Sequence, residues 1–427
     1  MSSSVQYSTP VLPFDIIVQI IDIVGDNKDT NLLKELALVS HSFHQICIKH
    51  LFATVELHDA VPNYVASSKK GFVKLLTSRP DVVKYIRKLT FRMGYDYTRK
   101  AHRSSQSPHT NTDDHLLSPV LPNLLRTISR LNCLTINALK LDWNILDSSL
   151  TSALLHLMHL PTITHIDLSF IQNFPLSSLT PCVNLLRLDI FYLCRIYPHE
   201  ENAFPVPEIV VQSELMPKIR EFRTSESFLL TRKLLHAKRQ DGRPAFNFMD
   251  LRQLSVSFNR FEDELNIRFL LQNAKSLEKL QLAISGWSLL KLHGIFSSSS
   301  GTLKALNLTV SLFDNESPFP LAGLCGELEA MAGHNMLEVL SLDVNVDGHE
   351  TDDFIGSMMQ DVEKVLVKPG WSALRQISFE ISIACCSAYR ADGASLSEAL
   401  QSLPDKYLSH LSKLESVAFN FSASVVK

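Results

Sequence analysis

One apolar pattern recurs along most of the chain and limits the folds that the chain can adopt. An apolar residue is followed by a second one three positions later and, in ten of eleven copies, by a third one two positions beyond that. Because side chains alternate along a strand, the last two members of each copy point to the same side, so each copy predicts one short strand. The copies are Ile86-Leu89-Phe91, Leu131-Leu134-Ile136, Ile163-Ile166-Leu168, Leu185-Leu188-Ile190, Leu251-Leu254-Val256, Leu277-Leu280-Leu282, Leu303-Leu306-Leu308, Leu337-Leu340-Leu342, Leu374-Ile377-Phe379, Leu414-Val417-Phe419 and the weaker Ile219-Phe222-Thr224.

The spacing of the copies predicts helices between the strands. Successive copies begin about 22 to 45 residues apart, which leaves room for a helix that returns the chain for parallel pairing. Apolar residues at helical spacing occur in several of these intervals. The sets are Leu124, Leu125, Ile128 and Leu131; Leu150, Leu154, Leu157 and Met158; Leu265, Phe269 and Leu270; Leu321, Leu324, Leu328 and Met331; and Phe354, Met358, Val362 and Val365.

The segment before the first copy predicts three short amphipathic helices. Pro13 suits the first turn of a helix, where its missing amide proton would have no partner. After a break at residues 25–31, Asp29, Thr30 or Asn31 is placed to cap a second helix, and Ser40 to cap a third. Apolar residues at helical spacing give each helix a side for burial: Ile16, Ile17, Ile20, Ile21 and Val24; then Leu32, Leu33, Leu36 and Val39; then Phe43, Ile46, Cys47 and Leu51.

The order of residues in this segment is similar to the F-box motif. The resemblance rests on Leu12-Pro13-Phe14-Asp15-Ile16, Leu36, Val39-Ser40-His41-Ser42-Phe43 and Leu51-Phe52, with Asp15 where glutamate is usual and Phe43 where tryptophan is common. It implies a small helical unit that docks on a Skp-type adaptor of cullin ubiquitin ligases. The residues that match the family's adaptor-facing and core positions are Leu12, Pro13, Ile16, Ile20, Leu36, Val39, Ser40 and Phe43. An ordinary helical cap on the next domain is the alternative.

The recurring strands resemble leucine-rich repeats, which implies an α/β solenoid with parallel strands on the concave side and helices on the convex side. The family pattern also includes an asparagine, which Asn259 and Asn345 match and which small residues replace in most other copies. The predicted organisation is an F-box-like module at residues 8–58 and an irregular repeat domain at 59–427. A polar loop is predicted near 95–115, and excursions near 198–217 and 232–243. A doubly wound α/β sheet is the structural alternative, although its glycine-rich first turn is missing.

Composition narrows the possible functions. A formal net charge of −3 over 427 residues gives no general attraction to nucleic acid or to anionic membranes. Neither a signal peptide nor a membrane span is evident, and seven scattered cysteines without a CxxC pair fit reduced thiols of the cytosol or nucleus. Only 14 glycines occur, which weighs against a phosphate-cradling loop. No Walker loop, GxGxxG, GxSxG or HExxH motif is present, so we expect no enzyme and no cofactor.

Two clusters contain residue types that can bind a metal ion, but both have simpler explanations. His156, His159 and His165 lack an accompanying cysteine or carboxylate at ligand spacing. The acidic residues from Asp347 to Asp353 do not have the ligand spacing of a calcium loop and suit a helix N-terminus. No metal site is therefore expected.

The polar residues that flank the paired apolar residues would line the concave side of the repeats. They are small, polar and of mixed charge, which suits a protein or peptide more than a nucleic acid. The predicted substrate-binding residues are Gln253, Ser255, Lys279, Gln281, Asn307, Ser341, Asp343, Gln376, Ser378 and Glu380.

These features together predict a substrate-receptor subunit of an SCF-type ubiquitin ligase in the cytoplasm, the nucleus or both. Its helical module would bind the Skp-type adaptor of the cullin complex, and its repeats would bind an unknown protein substrate. The alternative is an interaction scaffold outside any ligase, in which the helical module only caps the repeats.

Overall fold

The computed structural model describes residues 12–58, 67–93, 120–192, 210–211, 216–258, 261–285, 294–296, 299–313, 323–347, 352–384 and 393–426. The chain divides into two compact units, Met1–Thr164 and His165–Lys427. Both units are α/β, with parallel strands and intervening helices. The predicted loop near 95–115 lies outside the described residues.

The first unit begins with three helices, as the sequence predicts. They are α1 (Phe14–Asp26), α2 (Thr30–Leu36) and α3 (His41–Leu51). Of the three candidate caps, Asp29 caps α2 by accepting a hydrogen bond from the Leu32 amide at 3.0 Å, and Ser40 caps α3 by accepting one from the Phe43 amide at 3.3 Å. Ile21, Leu33 and Cys47 form the small buried core where the three helices meet.

The rest of the first unit contains three parallel strands. They are β1 (Thr54–His58), β2 (Lys88–Met93) and β3 (Cys133–Asp142), and β2 pairs with both of the others. The pattern of copies misses β1, whose Val55 and Leu57 pair with Leu89 and Phe91. The helices are α4 (Ser67–Ser78), α5 (Val120–Arg126) and α6 (Ser148–Met158), with short 3₁₀ helices at Pro80–Tyr85 and Trp143–Ile145.

The second unit contains one large parallel sheet. Its strands are β4 (His165–Gln172), β5 (Arg187–Phe191), β7 (Glu221–Ser225), β9 (Gln253–Phe258), β10 (Lys279–Ser285), β11 (Ala305–Phe313), β12 (Val339–Asp347), β13 (Gln376–Ala384) and β14 (Ala418–Val426). They lie in chain order, whereas a doubly wound sheet reverses its strand order at a switch point. Two further strands, β6 (Val210–Val211) and β8 (Lys238–Arg239), pair separately in the excursions predicted near 198–217 and 232–243.

Register aligns the middle apolar residues of successive copies across this sheet. Leu280 pairs with Leu254 on one side and with Leu306 on the other, and all three are buried. The prediction for the last copy was wrong by two residues, because Ile377 pairs with Phe419 and not with Val417. Four strands, β11 to β14, are nine residues long and so exceed the short strands that the pattern predicts.

The helices of the second unit are α7 (Phe228–His236), α8 (Phe261–Asn273), α9 (Leu324–Met331), α10 (Asp352–Leu366) and α11 (Gly393–Tyr407), with 3₁₀ helices at Leu176–Leu179 and Leu411–Lys413. The excursion predicted near 232–243 contains regular structure, since Arg232 and Lys233 lie in α7 and Lys238 and Arg239 in β8. The predicted apolar stripe of α8 was wrong at Leu265 and Phe269, which are exposed. Leu270 is buried as predicted, together with Ile267 and Leu271.

The chain does not turn at Asn345, which occupies the asparagine position of the repeat pattern. Asn345 lies inside β12, pairs with Ser311 and Ser382 in the neighbouring strands, and is exposed. Asn259 lies outside the described residues. The strands of this part of the sheet therefore continue through the asparagine position of the pattern.

Two candidate protein-binding surfaces

Exposed apolar side chains are concentrated on α1, on α2 and in the residues directly beside these two helices. Of the 17 large apolar side chains that are exposed among the described residues, eight lie between positions 12 and 39. We call these eight the helical surface: Leu12, Phe14, Ile16, Ile20, Ile23, Leu32, Leu38 and Val39. Leu38 is 87% exposed and Val39 is 65% exposed. Exposed large apolar side chains that cluster in one short stretch of a folded chain mark an interaction site more often than exposed apolar residues that occur singly.

Helix α1 carries two apolar stripes, of which only one is buried in the chain. Ile17, Ile21 and Val24 pack into the core of the three helices. Ile16, Ile20 and Ile23 follow the same spacing one residue earlier and are 41%, 47% and 60% exposed. Because consecutive residues on a helix are rotated by about 100°, the second stripe borders the first but faces away from the core. This arrangement buries one side of α1 in the core of the three helices and leaves the neighbouring side exposed.

The predicted adaptor-contacting residues divide between the exposed surface and the interior. The exposed ones are Leu12, Pro13, Ile16, Ile20 and Val39. Leu36 and Phe43 pack against the core, and Ser40 is an exposed helix cap. The sequence interpretation missed Phe14, Ile23, Leu32 and Leu38. Separating the isoleucines of α1 into two stripes would have identified Ile23. Leu38 lies in the turn after α2, so helical spacing of apolar residues could not identify it.

Polar contacts hold α3 against α1 behind this surface. Oδ1 of Asp22 lies 2.7 Å from Nε2 of His50 and 2.7 Å from Nζ of Lys49. The hydrogen bond from Lys49, with a smaller contribution from His50, holds the pKa of the Asp22 carboxyl below its usual value despite some desolvation. The ionised carboxylate of Asp22 thus links α1 to two residues of α3.

A second candidate surface lies on the large sheet of the second unit. The structure places the ten predicted substrate-binding residues in three parallel rows that cross the strands, and none of them is buried. One row contains Gln253, Lys279 and Gln376; the next contains Ser255, Gln281, Asn307, Ser341 and Ser378; and the third contains Asp343 and Glu380. We call these ten residues the polar face. Their apolar neighbours along each strand point to the opposite side and are buried.

The side chains of the polar face are linked to one another by few hydrogen bonds. Ser341 donates to Oδ1 of Asp343 at 3.2 Å, and Thr309 donates to Oδ2 of the same carboxylate at 3.3 Å. Ser255 donates to Oε1 of Gln281 at 3.4 Å. The surface therefore offers many donors and acceptors in a regular array, which suits recognition of a polypeptide.

The polar face includes an open depression with an empty volume of about 300 Å³. Its lining combines both charges with amide and hydroxyl groups: Glu221, Arg223, Gln253, Ser255, Lys279 and Gln281, with Phe222 and Leu254 beneath. The charged, amide and hydroxyl groups around this depression can form hydrogen bonds with a bound polypeptide.

A charged cluster lies in the same rows on the first strands of this sheet. Asp189 is 3% exposed and accepts hydrogen bonds from Arg187, while His165 Nε2 lies 3.2 Å from its Oδ2. Burial raises the pKa of Asp189, but the hydrogen bonds from His165 and Arg187 outweigh burial, so the net pKa is below the usual value. Its register partner Asp167 has a raised pKa because burial dominates over a hydrogen bond from Ser169.

Other kinds of site receive no support from the described ranges. Within them, no group of three or more histidine, cysteine, aspartate or glutamate side chains could hold a metal ion. None of the helices there combines the length and the apolar character that a membrane crossing needs. No known protein-family model matches the chain, and no curated protein matches it significantly in sequence.

Proposed function

We propose that this protein is a substrate-receptor subunit of an SCF-type cullin ubiquitin ligase. Residues 8–58 would form an F-box-like module that docks on a Skp-type adaptor, and residues 59–427 would form a leucine-rich-repeat-like domain that binds the substrate. The observation that carries the proposal is the helical surface, where eight large apolar side chains stay exposed although their three helices already share a core. The proposed partner would bury that surface.

The chemistry of the helical surface fits a stable protein partner better than a transient ligand. Isoleucine and leucine side chains on two neighbouring helices gain most from a preformed apolar groove, since each fully buried side chain contributes about 1.5–3 kcal/mol. The polar face would supply the second binding site of a receptor. Its spaced hydroxyl, amide and carboxylate groups would bind the substrate through many separate hydrogen bonds.

A receptor of this kind would perform no chemistry itself. It would raise the concentration of the substrate near the ubiquitin-transfer site, which other subunits of the ligase provide. The proposed location is the cytoplasm, the nucleus or both, where such ligases act.

Co-purification of a Skp-type adaptor with the full chain tests this proposal. The double variant Leu12→Asp and Ile16→Asp puts charge on the helical surface and should lose the adaptor while its circular dichroism spectrum stays unchanged. Ile145→Asp is the matched control, because Ile145 is 43% exposed, against 41% for Ile16, but lies outside the helical surface. Retained adaptor in the double variant, or equal loss in the control, contradicts the proposed docking surface.

One observation favours the scaffold alternative. Helix α3 contacts the 3₁₀ helix Pro80–Tyr85, and the three helices belong to the same compact unit as β1 to β3. In that alternative α1 to α3 only close the end of the first unit, so charge on the helical surface would change no partner. Affinity purification of wild type beside the double variant distinguishes the two, since only a receptor loses cullin-ligase subunits on substitution.

A further inference from the structure

Strand β14 has one edge that pairs with no strand among the described residues. Its other edge pairs with β13 over all nine residues, from Ala418 to Val426. The Ala418 amide donates to the carbonyl of Arg375 at 2.8 Å, so the even-numbered residues of β14 direct their backbone groups toward β13. Backbone direction alternates along a strand. Phe419, Phe421, Ala423 and Val425 therefore direct their N–H and C=O groups to the open edge.

The apolar side of β14 is less buried than that of the strand beside it. Ile377, Phe379, Ile381 and Ile383 of β13 are each 1% exposed or less, whereas their register partners on β14 are only half-buried. The sequence AFNFSASVV contains no charge and no proline, the features that normally protect an edge from pairing with another chain. The edge is thus long and neutral, and no strand of the described part of the chain covers it.

We propose that β14 pairs with β14 of a second copy of this chain, antiparallel and about a two-fold axis at Ser422. In this register Phe419 lies opposite Val425 and Phe421 opposite Ala423, with outward backbone groups facing each other at every one of these positions. Each such pair exchanges two hydrogen bonds. Asn420 lies opposite Ser424 on the polar side, and Ser422 lies opposite itself. The two large sheets become one continuous sheet.

The sequence of β14 fits a second copy of itself because it is self-complementary. A two-fold axis perpendicular to the sheet keeps the apolar sides of both strands on one side and their polar sides on the other. Apolar residues then meet only apolar residues, and polar residues meet only polar ones. No charged side chain anywhere in the strand opposes the pairing.

Light scattering coupled to size-exclusion chromatography of the full chain tests this proposal. Wild type should approach twice the 48.0 kDa mass of one chain as concentration rises. Ala423→Pro removes an amide proton that faces the open edge and leaves the ladder to β13 intact, so the dissociation constant should rise about 10- to 100-fold. Ser422→Lys places two lysines opposite each other across the axis and should also weaken the dimer.

Charge reversal tests the register itself. Ser422→Lys and Ser422→Asp should each be monomeric alone, and an equimolar mixture should form a dimer that weakens with added salt. Asn345→Lys is the control, because Asn345 is exposed on the same side of the sheet but on an inner strand.

A monomeric wild type overturns the proposal, as does a dimer that both Ser422→Lys and Ala423→Pro leave intact. A dimer lost on Ile20→Asp but kept in Ser422→Lys would assign the contact to the helical surface and also overturn it.

Discussion

The imidazole of His50 on α3 fills the space that a Cβ atom at Gly25 on α1 would occupy. Asp22 holds the ring in place through its contact of 2.7 Å with Nε2. We therefore expect Gly25→Ala to push α1 away from α3 and to lower the free energy of unfolding by about 1–3 kcal/mol. Urea denaturation followed by circular dichroism measures this loss.

Gly71→Ala is the matched control for that substitution. Gly71 lies in helix α4 of the same unit, and a Cβ atom there would meet nothing within 4 Å. Because alanine favours helix more than glycine does, the control should gain about 0.5–1 kcal/mol. Equal effects at the two glycines would show that close packing of α1 on α3 is not the cause.

Removing the charge of Asp189 and removing the charge of Asp167 should have opposite effects on the stability of the protein. Asp189→Asn leaves the partly exposed Arg187 and His165 without their buried carboxylate partner and should cost about 1–3 kcal/mol at neutral pH. Asp167→Asn should leave stability unchanged or raise it, because burial disfavours its ionised form. Thermal unfolding of both variants beside wild type measures the contrast.

The pH dependence of these variants follows from the direction of each pKa shift. The folded-state pKa of Asp189 lies below the ordinary value of 3.8, so its stabilisation is present above that value and is lost as the pH falls through the lower pKa. The folded-state pKa of Asp167 lies above 3.8, so its cost exists at high pH and disappears as the pH falls through the raised pKa toward 3.8. Parallel pH profiles for the two variants would contradict this account.

Substitutions at two neighbouring residues of β11 should distinguish a side chain that stabilises the fold from one that is available to a partner. Leu306 is fully buried between Leu280 and Leu340, and Leu306→Ala should cost about 2–5 kcal/mol. Asn307 belongs to the polar face, and Asn307→Ala should change stability by no more than about 0.5 kcal/mol. Chemical denaturation of the two variants gives both values. A comparable loss at Asn307 would mean that the polar face serves folding and is not free for a partner.

The sequence predicts most of the strands because the pattern that marks each strand lies within a few consecutive residues. A pair of apolar residues two apart is enough to place the side that faces the core, and Leu254, Leu280 and Leu306 lie as expected. The last copy fails for a physical reason. Val417 and Phe419 match the spacing as well as Phe419 and Phe421 do, and only pairing with β13 selects between them.

Exposure is harder to predict than secondary structure. Ile16 and Ile17 are identical residues side by side on α1, yet one is exposed and the other packs on the core. Which stripe faces inward depends on where α3 lies, and that is fixed by contacts such as Asp22 with His50, which are 28 positions apart in the chain. The helical surface therefore becomes visible only in the folded unit, although every residue in it is apolar.

The affinity of the full chain for a purified Skp-type adaptor, measured by isothermal titration calorimetry, tests the central claim most directly. Wild type should bind, and Ile20→Asp should weaken binding at least about tenfold, since burying an unpaired carboxylate in an apolar contact costs more than 1.4 kcal/mol. Ile145→Asp should bind within about twofold of wild type. No binding by a folded wild-type chain, or an Ile20→Asp variant that binds as wild type does, would contradict the account.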